Sequence, residues 1–199
     1  MKREPKFIRS LSFAVNGLVD AAVAQPNVRV HLVSMSLVGL VGSGIDWPGW
    51  ALATMSLCVA AVLTAELLNT AIESTVDLFS PDRNTLARIA KDSAAAAVLV
   101  ASTASVLGLG ICIVESQDLI ATQATRVYRQ LFVGLPVAAI VGFLAHPFAR
   151  PTVFHTLCFL GGVLLTVATA VRGSNLMMSA MVLLSLIWAF ATGLRRMRK

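Results

Sequence analysis

From Trp47 to Ala65 the chain carries no charged side chain, and then, in unbroken helical register, come Glu66, Asn69, Glu73 and Asp77. An apolar run of that length reads as a helix that crosses a membrane. At about 100° per residue the four polar residues that follow fall within roughly 80° of arc. Three carboxyls and one amide therefore make a single stripe, about three turns long, at the edge of a span. Carboxylates at such a depth are costly and are retained for function. The stripe reads as an active site.

Composition supports the membrane reading. Of 199 residues, 57% are hydrophobic and 13% charged, with mean hydropathy +0.80. A soluble domain needs more charge to cover its surface. The net charge of +6 is concentrated at the ends. Lys2, Arg3, Lys6 and Arg9 open the chain, and Arg195, Arg196, Arg198 and Lys199 close it. Basic ends beside apolar spans read as cytoplasmic anchors on anionic lipid. No basic groove interleaved with aromatics is present, so no nucleic-acid partner is expected. Cys58, Cys112 and Cys158 lie in apolar runs without CxxC spacing and read as packing residues. No cleavable signal is expected, since the first 30 residues lack an uninterrupted apolar core.

Along the chain, residues 7–24 place Phe7, Leu11, Ala14, Leu18 and Ala21 on one face and Arg9, Asn16 and Asp20 elsewhere. That is the pattern of an amphipathic helix lying in the interface, ended or kinked by Pro26. Six spans are expected, near 30–45, 49–68 (continuing as the striped helix to 79), 93–114, 130–148, 151–171 and 173–194. Residues 42–48 form a turn, with Trp47 and Trp50 suited to an interfacial belt. Residues 80–84 break the striped helix, 115–128 form a polar connector, and Pro136 kinks the fourth span. This arrangement puts both termini on the cytoplasmic side of the inner membrane. Gly142 and the Gly161-Gly162 pair read as close helix contacts. The fold class is all-α and integral to the membrane, with residues 1–114 holding the acidic stripe and 115–199 adding three spans.

Glu66 lies deepest, where a lipid head group reaches it, and its apolar flank suits a general base of raised pKa. Asn69 is placed to orient that base or a substrate hydroxyl. Glu73 suits a hard cation and Asp77 lies near water. Across the break, Arg88, Lys91 and Asp92 recur at helical spacing. Lys91 suits phosphate oxygens, and Asp92 either a metal or Lys91 itself. Base, metal carboxylate and phosphate lysine are the parts phosphoryl transfer requires. No Walker or kinase glycine loop occurs. The competing structural reading makes Glu66, Glu73, Asp77, Arg88 and Lys91 a set of ion pairs.

AELLNTAIE, then VDL, then ARIAKDSAAAAVLV resembles the prokaryotic diacylglycerol kinase family, including its undecaprenol kinase branch. SFAVNGL and Asn27-Val-Arg29-Val-His31-Leu match in order, so the resemblance spans about residues 7–114. It implies a three-span, homotrimeric lipid kinase with sites at subunit boundaries. Such a kinase uses Mg-ATP to phosphorylate a lipid alcohol, undecaprenol or diacylglycerol, among the membrane lipids. By motif match, Glu66 is the implied catalytic base with Asn69 beside it. Glu73 is the implied metal carboxylate, and Glu73, Asp77, Lys91 and Asp92 contact nucleotide or metal. The RVHL and AELLNTAIE segments resemble the undecaprenol branch more closely.

Two departures stand out. Four residues before Arg29 the family has a metal-binding glutamate; here the position is Gln25. An amide keeps an oxygen ligand and loses a charge, which motivates the alternative of a non-catalytic membrane scaffold or lipid-binding protein that kept the kinase fold. Asp20, five residues away, is rotated by about 140° and is no substitute. The second departure is the segment 115–199, for which packing around the kinase core or a lipid-access surface is expected. Arg150-Pro151 with His155 only faintly echoes a lipid phosphatase, and Ser-Gly-His is absent. His146 and His155 read as satisfied polar groups. A transporter is disfavoured by the lack of inverted repeats.

Overall fold

The computed structural model describes residues 5–80, 84–147 and 152–197. Among these the chain is almost entirely helical, with no strand. It forms α1 (Lys6–Ala24), α2 (Pro26–Ser43), α3 (Gly49–Phe79), α4 (Thr85–Glu115), α5 (Gln117–Thr122), α6 (Ala124–Ala145), α7 (Thr152–Arg172) and α8 (Leu176–Met197). Pro26 starts α2 as its first residue rather than merely ending α1, as its fixed φ and missing N–H favour. The expected polar connector 115–128 is mostly helix, as α5 and the start of α6. The described part of the 80–84 break is Ser80, which caps α3, and Asn84, which caps α4 through its side chain to the Leu86 N–H at 2.8 Å. Residues 81–83, Arg150-Pro151 and the last two residues of the basic tail lie outside the described residues.

Length and hydropathy qualify six helices as spans: α1, α3, α4, α6, α7 and α8. This is a multi-pass membrane protein. The six differ from the expected set, because α1 enters it and α2 does not. Asn27, Arg29 and His31 dilute the apolar character of α2, while α1 qualifies narrowly at mean hydropathy 1.3. Packing gives each its place. α2 lies against α8 and α6 and runs the length of the bundle with them. α1 leaves residues 5–17 exposed and packs mainly on α8, with lighter contact to α2 and α3.

Two bodies meet along α2. α3 and α4 pair closely as a hairpin and touch α2 lightly. α6, α7 and α8 bundle around the opposite side of α2. The core between them is built from Val28, Leu32, Val141, Leu144, Leu186 and Ala189, all fully buried. Small residues permit this approach: a Cβ on Gly39 would stand 2.7 Å from the Met178 carbonyl, and one on Gly162 2.9 Å from Leu186. Gly161, by contrast, faces open space, and Gly142 has only ordinary contact with Val33, so only one residue of the glycine pair serves packing.

At the far end, a latch joins the α2–α3 loop to the C-terminal segment. Asp46 accepts from Arg126 at 2.9 Å and exchanges two hydrogen bonds with Gln123. A hydrogen bond from the Ser174 hydroxyl, followed by the bond from Arg126, holds the Asp46 carboxyl below its ordinary range. The Ser174 N–H donates to the Ser43 carbonyl at 2.9 Å. Trp47 is buried here, its indole N–H on the Gly42 carbonyl. It is a packing residue and not part of an interfacial belt; Trp50 is half exposed and suits that role.

Candidate active site

α3 runs 31 residues without interruption, so its polar stripe stays in one register. The stripe descends from the core into water. Glu66 is 1% exposed and Asn69 7%. Glu73 is half-buried, and the Asp77 side chain is 66% exposed. This gradient matches the order expected from the sequence.

The α1–α2 elbow meets the stripe from the other side. His31 Nε2 stands 3.2 Å from Glu66 Oε1. Because a carboxylate only accepts, the shared proton sits on His31 Nε2 when Glu66 is ionised. Gln25 Nε2 donates to Glu73 Oε2 at 2.6 Å, and Asn69 Nδ2 donates to Glu73 Oε1 at 3.1 Å. The Asn69 carboxamide oxygen is buried and has no partner among the described residues. A buried acceptor of that kind is costly unless something donates to it.

Nearer the water, α4 answers α3. Lys91 Nζ pairs with Asp77 Oδ1. Asp92 pairs with Arg88, one turn back at 2.9 Å, and not with Lys91. The i,i+4 spacing on one helix decides that choice. Asp20 turns away from the stripe toward Arg195, whose Nε is 3.7 Å from its carboxylate.

Above the stripe an apolar cleft opens between α2 and the α3–α4 hairpin. A cavity of about 210 Å³ has His31 at one end, and its walls include Met35, Val62, Ser105 and Leu109. A second, of about 240 Å³, shares Val38 and Leu109 with the first and continues to Trp47. His31, which lines the first cavity, stands beside Glu66.

Among the described residues no three or more His, Cys, Asp and Glu side chains gather to enclose a metal. One carboxylate and one carboxamide, Glu73 and Gln25, do stand side by side. That donor set fits Mg²⁺, which keeps several waters and takes one or two carboxylates plus substrate phosphates. A half-turn of the Gln25 amide puts its oxygen where its nitrogen lies.

The fold and site define a helical membrane protein with a carboxylate-centred site at the end of its spans. The family model for prokaryotic diacylglycerol kinase matches residues 12–113, and the chain belongs to that family. A diacylglycerol kinase of Synechocystis is 38% identical over 110 residues, which cover 55% of this chain and 62% of that protein. An undecaprenol kinase of Bacillus subtilis is 34% identical over 110 residues, covering 52% of this chain and 85% of that protein. The matched stretch thus spans less than two thirds of the Synechocystis relative. No solved structure matches at a significant level. The family match ends inside α4, so α5 to α8 lie beyond it.

Gln25 and Asn69 meet at Glu73, whereas Glu66 meets His31 instead. Sequence reasoning missed His31 as the partner of Glu66. The signal was a lone histidine in an apolar helix, and the contact that gives it meaning joins residues 35 apart.

Proposed function

We propose that this protein is a lipid kinase that transfers the ATP γ-phosphoryl group to the hydroxyl of a lipid alcohol, undecaprenol or diacylglycerol, at the cytoplasmic face of the inner membrane. The observation that carries the reading is Glu66, buried beside His31 at the edge of an apolar cavity and two turns from Glu73. Both the family membership and the names of the two relatives support it.

In this reading the lipid tail lies along the cleft and its hydroxyl reaches Glu66. His31 holds Glu66 Oε1, which leaves Oε2 to take the hydroxyl proton. As that proton leaves, the lipid oxygen bonds to the γ-phosphorus and the bond to the bridging oxygen breaks, releasing ADP. The unpartnered Asn69 oxygen accepts from the substrate or a bound water and fixes its approach. Glu73 and Gln25 would hold Mg²⁺, which would neutralise charge on the phosphates. Lys91 faces phosphate oxygens, with Asp77 and Asp92 as its neighbours in the nucleotide site. Residues 1–114 form the kinase domain and 115–199 a buttress behind α2. Both termini are cytoplasmic, and the assembly is a homotrimer, as the resemblance implies.

The test is transfer of label from γ-labelled ATP in mixed micelles, with undecaprenol and diacylglycerol offered separately. Phosphorylation of either lipid supports the reading and names the substrate. Folded protein that labels neither contradicts it.

A further inference from the structure

The family match stops in α4, yet the elbow that delivers Gln25 to Glu73 is held by the last helix of the chain. Arg196, on α8, donates from Nη2 to the Val23 carbonyl at 2.6 Å and from Nη1 to the Ala145 carbonyl at 3.1 Å. Arg29 reaches the same elbow, donating to the carbonyls of Ala22 at 3.1 Å and Val23 at 3.4 Å. Neither guanidinium has a carboxylate within 4 Å among the described residues. Each is committed instead to the carbonyls that end a helix, where the macrodipole favours a cation. Val23 is two residues before Gln25, whose own N–H closes the last turn of α1 on Ala21. The grip is extended by Trp188, whose indole donates to the Leu18 carbonyl at 2.9 Å, and by Arg195 on Asn16.

The end of α8 is itself fixed. Gly193, one turn before Arg196, lies so close to His155 that a Cβ there would overlap the imidazole and stand 2.8 Å from the Leu144 carbonyl. His155 is stacked on Phe190 and meets its carbonyl at 3.1 Å. The path from the C-terminal bundle to Glu73 is therefore continuous: α7 sets α8, Arg196 sets the elbow, and the elbow sets Gln25.

We propose that Arg196 is a positioning residue of the active site. It holds the α1–α2 elbow in the geometry that brings the Gln25 carboxamide to Glu73, so the C-terminal segment is a working part of the metal–nucleotide site. The inference rests on the kinase reading for what that site binds, but it can be tested without turnover.

The test is a double-mutant cycle on the full chain, Arg196→Ala and Gln25→Ala, read as Mn²⁺ affinity by EPR with a non-hydrolysable ATP analogue. Arg196→Ala weakens Mn²⁺ binding by about tenfold, as loss of an outer support does. In the Gln25→Ala background the same change has no further effect, because the residue it acts through is gone. If Arg196→Ala does not fold, Arg196→Lys replaces it; one ammonium cannot reproduce the guanidinium's two fixed bonds, so affinity falls part of the way. Wild-type affinity in the folded variant overturns the proposal. So does an equal loss with Gln25 absent, which is what a merely structural residue gives. A wild type that binds no Mn²⁺ with the analogue overturns it too. Failure of lipid phosphorylation alone counts against the kinase reading and leaves the Arg196–Gln25 coupling measurable.

Discussion

Gln25 is the residue that sets this site apart, because it puts an uncharged amide within hydrogen-bonding distance of Glu73. Gln25→Glu would place two carboxylates side by side, and like charges that close disfavour each other unless a cation lies between them. The variant is expected to be less stable than wild type without metal and to gain more from Mg²⁺. Thermal unfolding with and without Mg²⁺ measures this, and an identical Mg²⁺ response in the two proteins would show that Gln25 does not face the metal. His31 belongs to the same scale. His31→Ala leaves Glu66 buried without its partner, and turnover is expected to fall by about tenfold to a hundredfold, read as initial rate on folded protein. The stripe on α3 was legible because four residues on one helix need only the helical repeat to be brought together. His31 was not, because its contact depends on how α2 docks on α3, and the apolar residues that dock them carry no directional pattern.

The elements followed hydropathy closely where spans were long and pure, as in α3, α7 and α8. They departed from it in two ways. Helices extended past the apolar core into polar sequence, as α4 does from Thr85, since helix ends continue until a cap or proline stops them. α2, with Asn27, Arg29 and His31 in its first turns, falls short of a span by hydropathy. Glycines on α2 and α7 tell which helix faces are pressed. Gly39→Val is expected to destabilise the protein by about 1–3 kcal/mol, because its Cβ would drive into the Met178 carbonyl. Gly161→Ala meets nothing within 4 Å and is expected to stay within about 0.5 kcal/mol of wild type. Denaturant or thermal unfolding in detergent separates the two, and equal effects would place the close contact elsewhere.

For the whole molecule, the C-terminal segment is held to the family region at both ends, by Arg196 at the site end and Asp46 at the far end. Neither tie was readable from the sequence, since each joins residues far apart in the chain whose types are ordinary for membrane loops. The far latch has a pH signature. Asp46 has a depressed folded value, so it contributes stability above its unfolded value of about 3.9 and loses that contribution as pH falls through the lower folded value. Wild type is therefore expected to lose more thermal stability between pH 7 and about pH 3 than Asp46→Asn; parallel losses would mean the latch is not closed.

The central claim is that Glu66 takes the proton from a lipid hydroxyl. It is tested most directly by comparing wild type with Glu66→Gln for ATP-dependent phosphorylation of the accepted lipid, with nucleotide binding followed in parallel. Glu66→Gln is expected to lose at least about a hundredfold in rate while binding Mg-nucleotide as wild type does. A variant that keeps its rate would contradict the assignment of Glu66 as the base.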